Sequence, residues 1–241
     1  MSDLQVLMPM GGLGSRFTAA GYTTPKPLIE VDGKPMFMRA LESFSKLDNV
    51  QHIFVIRKDQ DDAFGLSAKI LAQLPGAKIS ILDHDTHGAV ESCLAAKEYI
   101  DDDTAISIAD CDIYFESKEY FRNAIAKDKP DGMLLTFHSN DPRYSYAEKD
   151  SNGNVIRTAE KIAISNNAIL GGYYFSSGRL FKNLAETFML SPLPAHLKEY
   201  YMSHLFNILI ERNGRIEIAN IDKKYIFGTP EELQDYLEGK Q

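Results

Sequence analysis

The stretch MPMGGLGSRF (8–17) sets Gly11, Gly12 and Gly14 beside Ser15 and Arg16, and Lys26 follows between Pro25 and Pro27. Glycines let a backbone approach a ligand closely, and a guanidinium with an ammonium nearby selects an anion. The flanking prolines stiffen the chain around Lys26 and so fix the direction of one charge. A dinucleotide-binding loop needs G-x-G-x-x-G; Phe17 stands where the last glycine belongs, although Asp32 lies at a workable distance. An ATPase-type loop needs Gly-Lys-Ser/Thr, and here Gly14 precedes Ser15-Arg16. A plain glycine turn joining strand to helix accounts for the glycines but not for the two cations, which together read as a triphosphate clamp.

A second constellation lies in ISIADCDIYF (106–115), where Asp110 and Asp112 are expected at the end of an apolar strand, two residues apart and on one face. Carboxylates so placed suit Mg²⁺, which takes one or two of them together with phosphate oxygens. A solvated strand terminus is the bland alternative. His84 and His87 have no cysteine or third histidine nearby in sequence and read as ordinary loop residues. His204, in the aromatic-rich LKEYYMSHLF, reads as part of a packing helix.

The elements that must carry these residues alternate. LQVLM (4–8), HIFVI (52–56), KISIL (78–82) and AISIA (105–109) read as buried strands, and PMFMRALESFSKL and GAVESCLAAKEYI between them have apolar residues at helical spacing. That order predicts an α/β fold, a Rossmann-like, mainly parallel central sheet flanked by helices. Beyond residue 130 the rhythm changes. Asn152-Gly153-Asn154 marks a turn between strand-like runs and predicts a smaller antiparallel lobe. Helices are expected at 177–189 and 197–212, a strand at 215–221, and a last helix opened by Thr229 and Pro230.

With 241 residues the chain suits a single domain, 1–130 forming one half and 131–241 the other. The net charge of −8 argues against nucleic acid as the main partner, so any anion must be held by a local cluster. A polar N-terminus without a signal pattern, no membrane-length apolar run and two cysteines read as core, Cys93 and Cys111, fit a cytoplasmic chain. A homo-oligomer remains open.

The pair GGLGSRF and TPKPLIEVDGKPM resembles the signature of nucleotidylyltransferases that join a nucleoside triphosphate to a sugar phosphate, the nucleoside-diphosphate-sugar pyrophosphorylases. The match is close over the first 36 residues, with weaker echoes to the C-terminus. The resemblance implies that a sugar 1-phosphate attacks the α-phosphorus of the triphosphate and pyrophosphate leaves. It implies that Met10, Gly11, Gly12, Gly14, Ser15 and Gly88 bind the nucleotide, Gly88 beside the base. Arg16 would steady the departing pyrophosphate and Lys26 would neutralise the α-phosphate. Glu160 and Lys161 match the family segment that receives the acceptor, with Ile162 in place of its proline, and Gly171 would let the sugar approach. Asp112, spaced to Phe115 as in the family, would hold Mg²⁺, with Asp110 beside it. The family's second metal carboxylate is replaced by Ile226, and Asp222 is expected to contribute little. The base and sugar stay undetermined. Rivals are a cytidylyltransferase acting on a non-sugar phosphate, a sugar-transferring enzyme using Asp110-Cys111-Asp112, and a catalytically silent binding domain.

Overall fold

The computed structural model describes residues 4–194 and 197–240; the N-terminal residues 1–3 lie outside the described residues. Thirteen strands are described: β1 (Leu4–Met10), β2 (Glu30–Val31), β3 (Lys34–Pro35), β4 (Val50–Arg57), β5 (Lys78–Leu82), β6 (Ile106–Ala109), β7 (Ile113–Glu116), β8 (Gly132–His138), β9 (Ser145–Lys149), β10 (Val155–Glu160), β11 (Asn167–Phe175), β12 (Ile216–Asn220) and β13 (Lys223–Ile226). β1 lies between β4 and β6, parallel to both, and β5 extends the sheet beyond β4. β11 runs antiparallel against β6 and carries β8, on which β12 packs in parallel. The two halves of the chain therefore share one sheet.

Burial on both faces explains the continuous apolar runs. Leu7, Ile53, Val55 and Ile108 enter one core cluster, while Val6, Met8, Phe54 and Ile56 enter another. Successive side chains of β1 and β4 thus alternate between two helix-covered layers. The turn signal at Asn152-Gly153-Asn154 joins β9 to β10 in an antiparallel hairpin attached to the start of β11.

Three sequence expectations need correction. KISIL (78–82), read as a buried strand, is β5 at the sheet edge, where among the described residues no further strand covers it and Ile81 is 50% exposed. The helix expected at 197–212 is shorter, Ser203–Glu211. Upstream, the Tyr200 carbonyl accepts from Val90 N and the Tyr200 N–H donates to the His87 carbonyl, so those groups serve the 87–90 loop instead of a helix. The strand expected to carry both aspartates stops at Ala109. The Asp110 N–H donates to the Gly171 carbonyl, and the chain then turns out of the main sheet to pair β7 with β13. Asp110 and Asp112 consequently do not share a strand face.

Candidate active site

A cleft of about 370 Å³ opens at the carboxyl ends of β1 and β6. The chain passes from β1 to β4 on one side and returns to β6 on the other, the switch point at which open α/β sheets bind ligands. One wall is the glycine loop, with Met10, Gly12, Gly14, Ser15 and Arg16; the other holds Lys26, Asp110, Asp112 and Gly228. An adjoining cavity shares Gly12, Ser15 and Asp110 and runs on past Gly11 to Thr86 and Gly88.

The loop geometry follows from its glycines. Gly14, at φ +64, takes the left-handed turn before the helix Ser15–Ala19, and a Cβ on it would lie 3.2 Å from Lys26 Cβ. A larger residue at position 14 would thus press on the very lysine it helps to place. Gly88, at φ +131, precedes the helix Ala89–Leu94 and is pinned against the chain opposite, where an added Cβ would fall 2.7 Å from Tyr200 N. Arg16 is exposed on the cleft wall, with Glu231 within electrostatic reach of its guanidinium.

Lys26 opens a short 3₁₀ turn, Lys26–Leu28, and reaches across to form an ion pair with Asp112 Oδ2. The two side chains are 22% and 15% exposed, so the pair faces the cleft. Burial alone would lower the Lys26 pKa, but the facing carboxylate of Asp112 outweighs it and the ammonium is held well above its ordinary value. Asp110 is the complementary case. Burial, then the Asp112 charge, push its carboxyl up to about 7, with Lys26 pulling the other way. Two carboxylates here face one ammonium.

Residues expected on the acceptor side lie elsewhere. Glu160, Lys161 and Gly171 line neither cavity. Glu160 Oε2 accepts from the Ser145 and Ser203 hydroxyls. Lys161 Nζ donates to Tyr201 Oη at 3.2 Å and lies over that ring. Gly171 makes room within the protein itself: a Cβ there would fall 2.4 Å from Asp110 Oδ2. Asp222 caps the helix Lys118–Ala124, accepting from Lys118 N at 2.8 Å. Both cysteines are free and buried. His84 pairs with neighbouring Asp83, His87 with Glu91, and His204 stacks on Phe188.

Sequence reasoning missed Arg57. Its guanidinium, 14% exposed in the second cavity, donates to Asp59 and Asp85 and approaches the Gly11 carbonyl at 3.5 Å. Its one available signal was its place as the last residue of β4, beside β1 at the carboxyl edge.

The MobA-like NTP transferase domain matches residues 6–194, a span that contains the glycine loop, Lys26 and both cleft aspartates. The chain belongs to this family. Its members' nucleotidyltransferase fold is also that of the nucleoside-diphosphate-sugar pyrophosphorylase from Vibrio cholerae RC9, which is 25% identical with a TM-score of 0.81 over 98% of this chain and 99% of that one. The inositol-1-phosphate CTP transferase from T. maritima, at 14% identity and TM-score 0.78 over 98% of this chain and 94% of that one, shares the fold. Among curated relatives of this NTP transferase-domain chain, the mannose-1-phosphate guanylyltransferase catalytic subunit beta of Danio rerio is 26% identical over 189 residues, 73% of this chain and 51% of that protein. The chain thus spans about half the length of that relative.

Proposed function

We propose that this protein is a nucleotidylyltransferase that condenses a nucleoside triphosphate with a sugar 1-phosphate, releasing pyrophosphate and a nucleoside-diphosphate sugar. The observation that carries this reading is the Lys26–Asp112 pair lining a glycine-walled cleft together with exposed Arg16. An oxygen of the acceptor phosphate forms a bond to the α-phosphorus, and the bond from that phosphorus to the pyrophosphate oxygen breaks. The acceptor is already ionised, so alignment and charge neutralisation do the work. Lys26 meets the charge that develops at the α-phosphate. Arg16 meets the charge that accumulates on the departing pyrophosphate. Gly11, Gly12, Gly14 and Ser15 bring backbone against the phosphates, with Met10 beneath them, and Gly88 bounds the base.

The donor set fits Mg²⁺, since Asp110 and Asp112 both bring carboxylate oxygens to the cleft. Among the described residues no three acidic, histidine or cysteine side chains gather around one point, so substrate phosphates would have to complete the shell. Asp112 would hold the ion and Asp110 would act through water; when bound, the ion neutralises phosphate charge. On the acceptor side we assign Lys161 to the acceptor phosphate, Glu160 to hydroxyls and Gly171 to a supporting place behind Asp110. In favour of Lys161 is its left-handed φ of +56, a conformation uncommon for a lysine and characteristic of positions that the surrounding fold imposes. The two free, buried thiols accord with a reducing cytoplasm. Among the described residues no helix is long and apolar enough to cross a membrane.

The test is pyrophosphate release from five triphosphates crossed with a panel of sugar 1-phosphates and non-sugar phosphate esters. Release with one sugar 1-phosphate is expected. Release only with a non-sugar ester would replace the acceptor, and no release with any pair would refute nucleotidylyl transfer.

A further inference from the structure

The segment 200–203 joins the loop that bears Gly88 to the pair Glu160 and Lys161. The Tyr200 N–H donates to the His87 carbonyl at 2.8 Å and the Tyr200 carbonyl accepts from Val90 N at 3.1 Å, which fixes the main chain one residue before Tyr201. Two residues after Tyr201, the Ser203 carbonyl accepts from Thr158 Oγ1 at 2.7 Å, and the Asn207 side-chain amide pairs with the N–H and the carbonyl of Thr158 at 2.8 and 3.1 Å. These bonds sew the start of the helix Ser203–Glu211 to β10, the strand that ends at Glu160. Tyr201 is thus held from both sides.

What these bonds hold in place is a pair of donors. Lys161 Nζ donates to Tyr201 Oη at 3.2 Å and lies 5.0 Å from the centre of the tyrosine ring. The hydroxyl accepts that bond, and among the described residues its own hydrogen goes to no acceptor. Lys161 N donates to the Tyr144 carbonyl at 3.1 Å, so the backbone is fixed as well as the ammonium. Beside the two donors, Glu160 Oε2 accepts from the buried Ser145 and Ser203 hydroxyls. The group borders the cleft: Glu199, which lines the second cavity, is within electrostatic reach of Lys161, and Glu160 is within reach of Asp110, which lines both cavities.

We infer that Tyr201 is a further acceptor-binding residue, whose Oη accepts from the Lys161 ammonium while its own O–H donates to the same acceptor phosphate. This rests on the nucleotidylyl-transfer reading above and on the place given there to Lys161. Charge-assisted hydrogen bonds run at about 2.5–2.9 Å, so one phosphate oxygen can reach two donors that stand 3.2 Å apart. Because the segment fixes both donors before the acceptor arrives, little ordering of side chains is left to oppose binding. The neighbouring Tyr200 turns its hydroxyl to the Ser191 carbonyl at 3.3 Å and serves as a control.

The experiment measures, on the full chain, the KM for the sugar 1-phosphate that the pyrophosphate-release panel selects, at saturating triphosphate. Calorimetric triphosphate affinity without acceptor and the melting temperature are recorded for every variant. Tyr201→Phe keeps the ring beside the ammonium and removes only the hydroxyl; the acceptor KM should rise about tenfold, with kcat within about twofold of wild type and triphosphate affinity unchanged. In a Lys161→Ala background Tyr201→Phe should still raise that KM by at least about threefold, because the hydroxyl donates on its own account. Tyr200→Phe should leave the acceptor KM within about twofold of wild type. An unchanged acceptor KM for Tyr201→Phe, or an effect that vanishes once Lys161 is alanine, overturns the inference and leaves the transfer reading standing. A rise in KM matched by an equal loss of triphosphate affinity overturns it too. If no pair on the panel releases pyrophosphate, the transfer reading fails and carries the inference with it, so the two failures are distinguishable.

Discussion

Replacing Lys26 by alanine removes the ammonium that, among the described residues, faces Asp112 in the cleft and acts on Asp110. A preorganised charge at a reacting centre is worth about 3–4 kcal/mol in the transition state, so kcat for pyrophosphate release should fall on the order of 10²- to 10³-fold. The fold loses less. Breaking a fully buried ion pair costs about 3–5 kcal/mol, but this pair opens to the cleft, and about 1–3 kcal/mol is expected from urea unfolding. Because the Lys26 pKa is raised in the fold, its contribution to stability is complete below the unfolded value of about 10.4 and disappears only as pH climbs through the higher folded value. The ratio of wild-type to Lys26→Ala turnover should therefore be flat from about pH 6 to 9 as far as this group is concerned. The assay is steady-state pyrophosphate release at saturating triphosphate and acceptor, repeated across that range. A Lys26→Ala enzyme within threefold of wild-type kcat would refute the clamp.

Lys161→Ala should raise the acceptor KM about tenfold, near the 1.4 kcal/mol of one charge-assisted contact, while calorimetry shows triphosphate affinity unchanged without acceptor; equal loss of both would move this lysine to the other substrate. Asp222→Asn should leave kcat within twofold and lower stability by under about 1 kcal/mol, since it perturbs only the charge of a helix cap; a large fall in kcat would bring Asp222 into the site. Burial lowers the pKa of His52 in β4, so its contribution is present above the unfolded value of about 6.5 and is lost as pH falls below it. His52→Gln should flatten the fall in urea midpoint between about pH 7 and 5, and an unchanged profile would assign that acid sensitivity to other groups.

Much of this architecture was legible because it depends on local pattern. Continuous apolar runs marked β1, β4 and β6 as strands covered on both faces, and the core clusters on either side of β1 show why polar alternation was absent, whereas the same kind of run in β5 lies at the sheet edge with Ile81 half exposed. Asn152-Gly153-Asn154 marked a hairpin because few other residues make such a turn cheaply. The glycine loop was legible as a turn between strand and helix because Gly14 adopts a backbone conformation that other residues resist. Less legible were the end of the helix near Tyr200 and the break after Ala109, both decided by hydrogen bonds to segments distant in sequence.

By itself the sequence determined the sheet, the glycine-walled cleft at its edge and the two charges, Arg16 and Lys26, that belong to one short stretch. Tertiary structure alone decided which groups meet around the cleft. Asp110 and Asp112, close in sequence and both lining the cleft, lie against different segments because the chain leaves the sheet between them, one against Gly171 and the other beside Gly228. Tyr201, 40 residues from Lys161, comes to lie beside its ammonium because the Tyr200 main chain pairs with the 87–90 loop and Asn207 pairs with Thr158. Spacing along a chain constrains groups on the same element, whereas groups on different elements meet only through the packing that joins them.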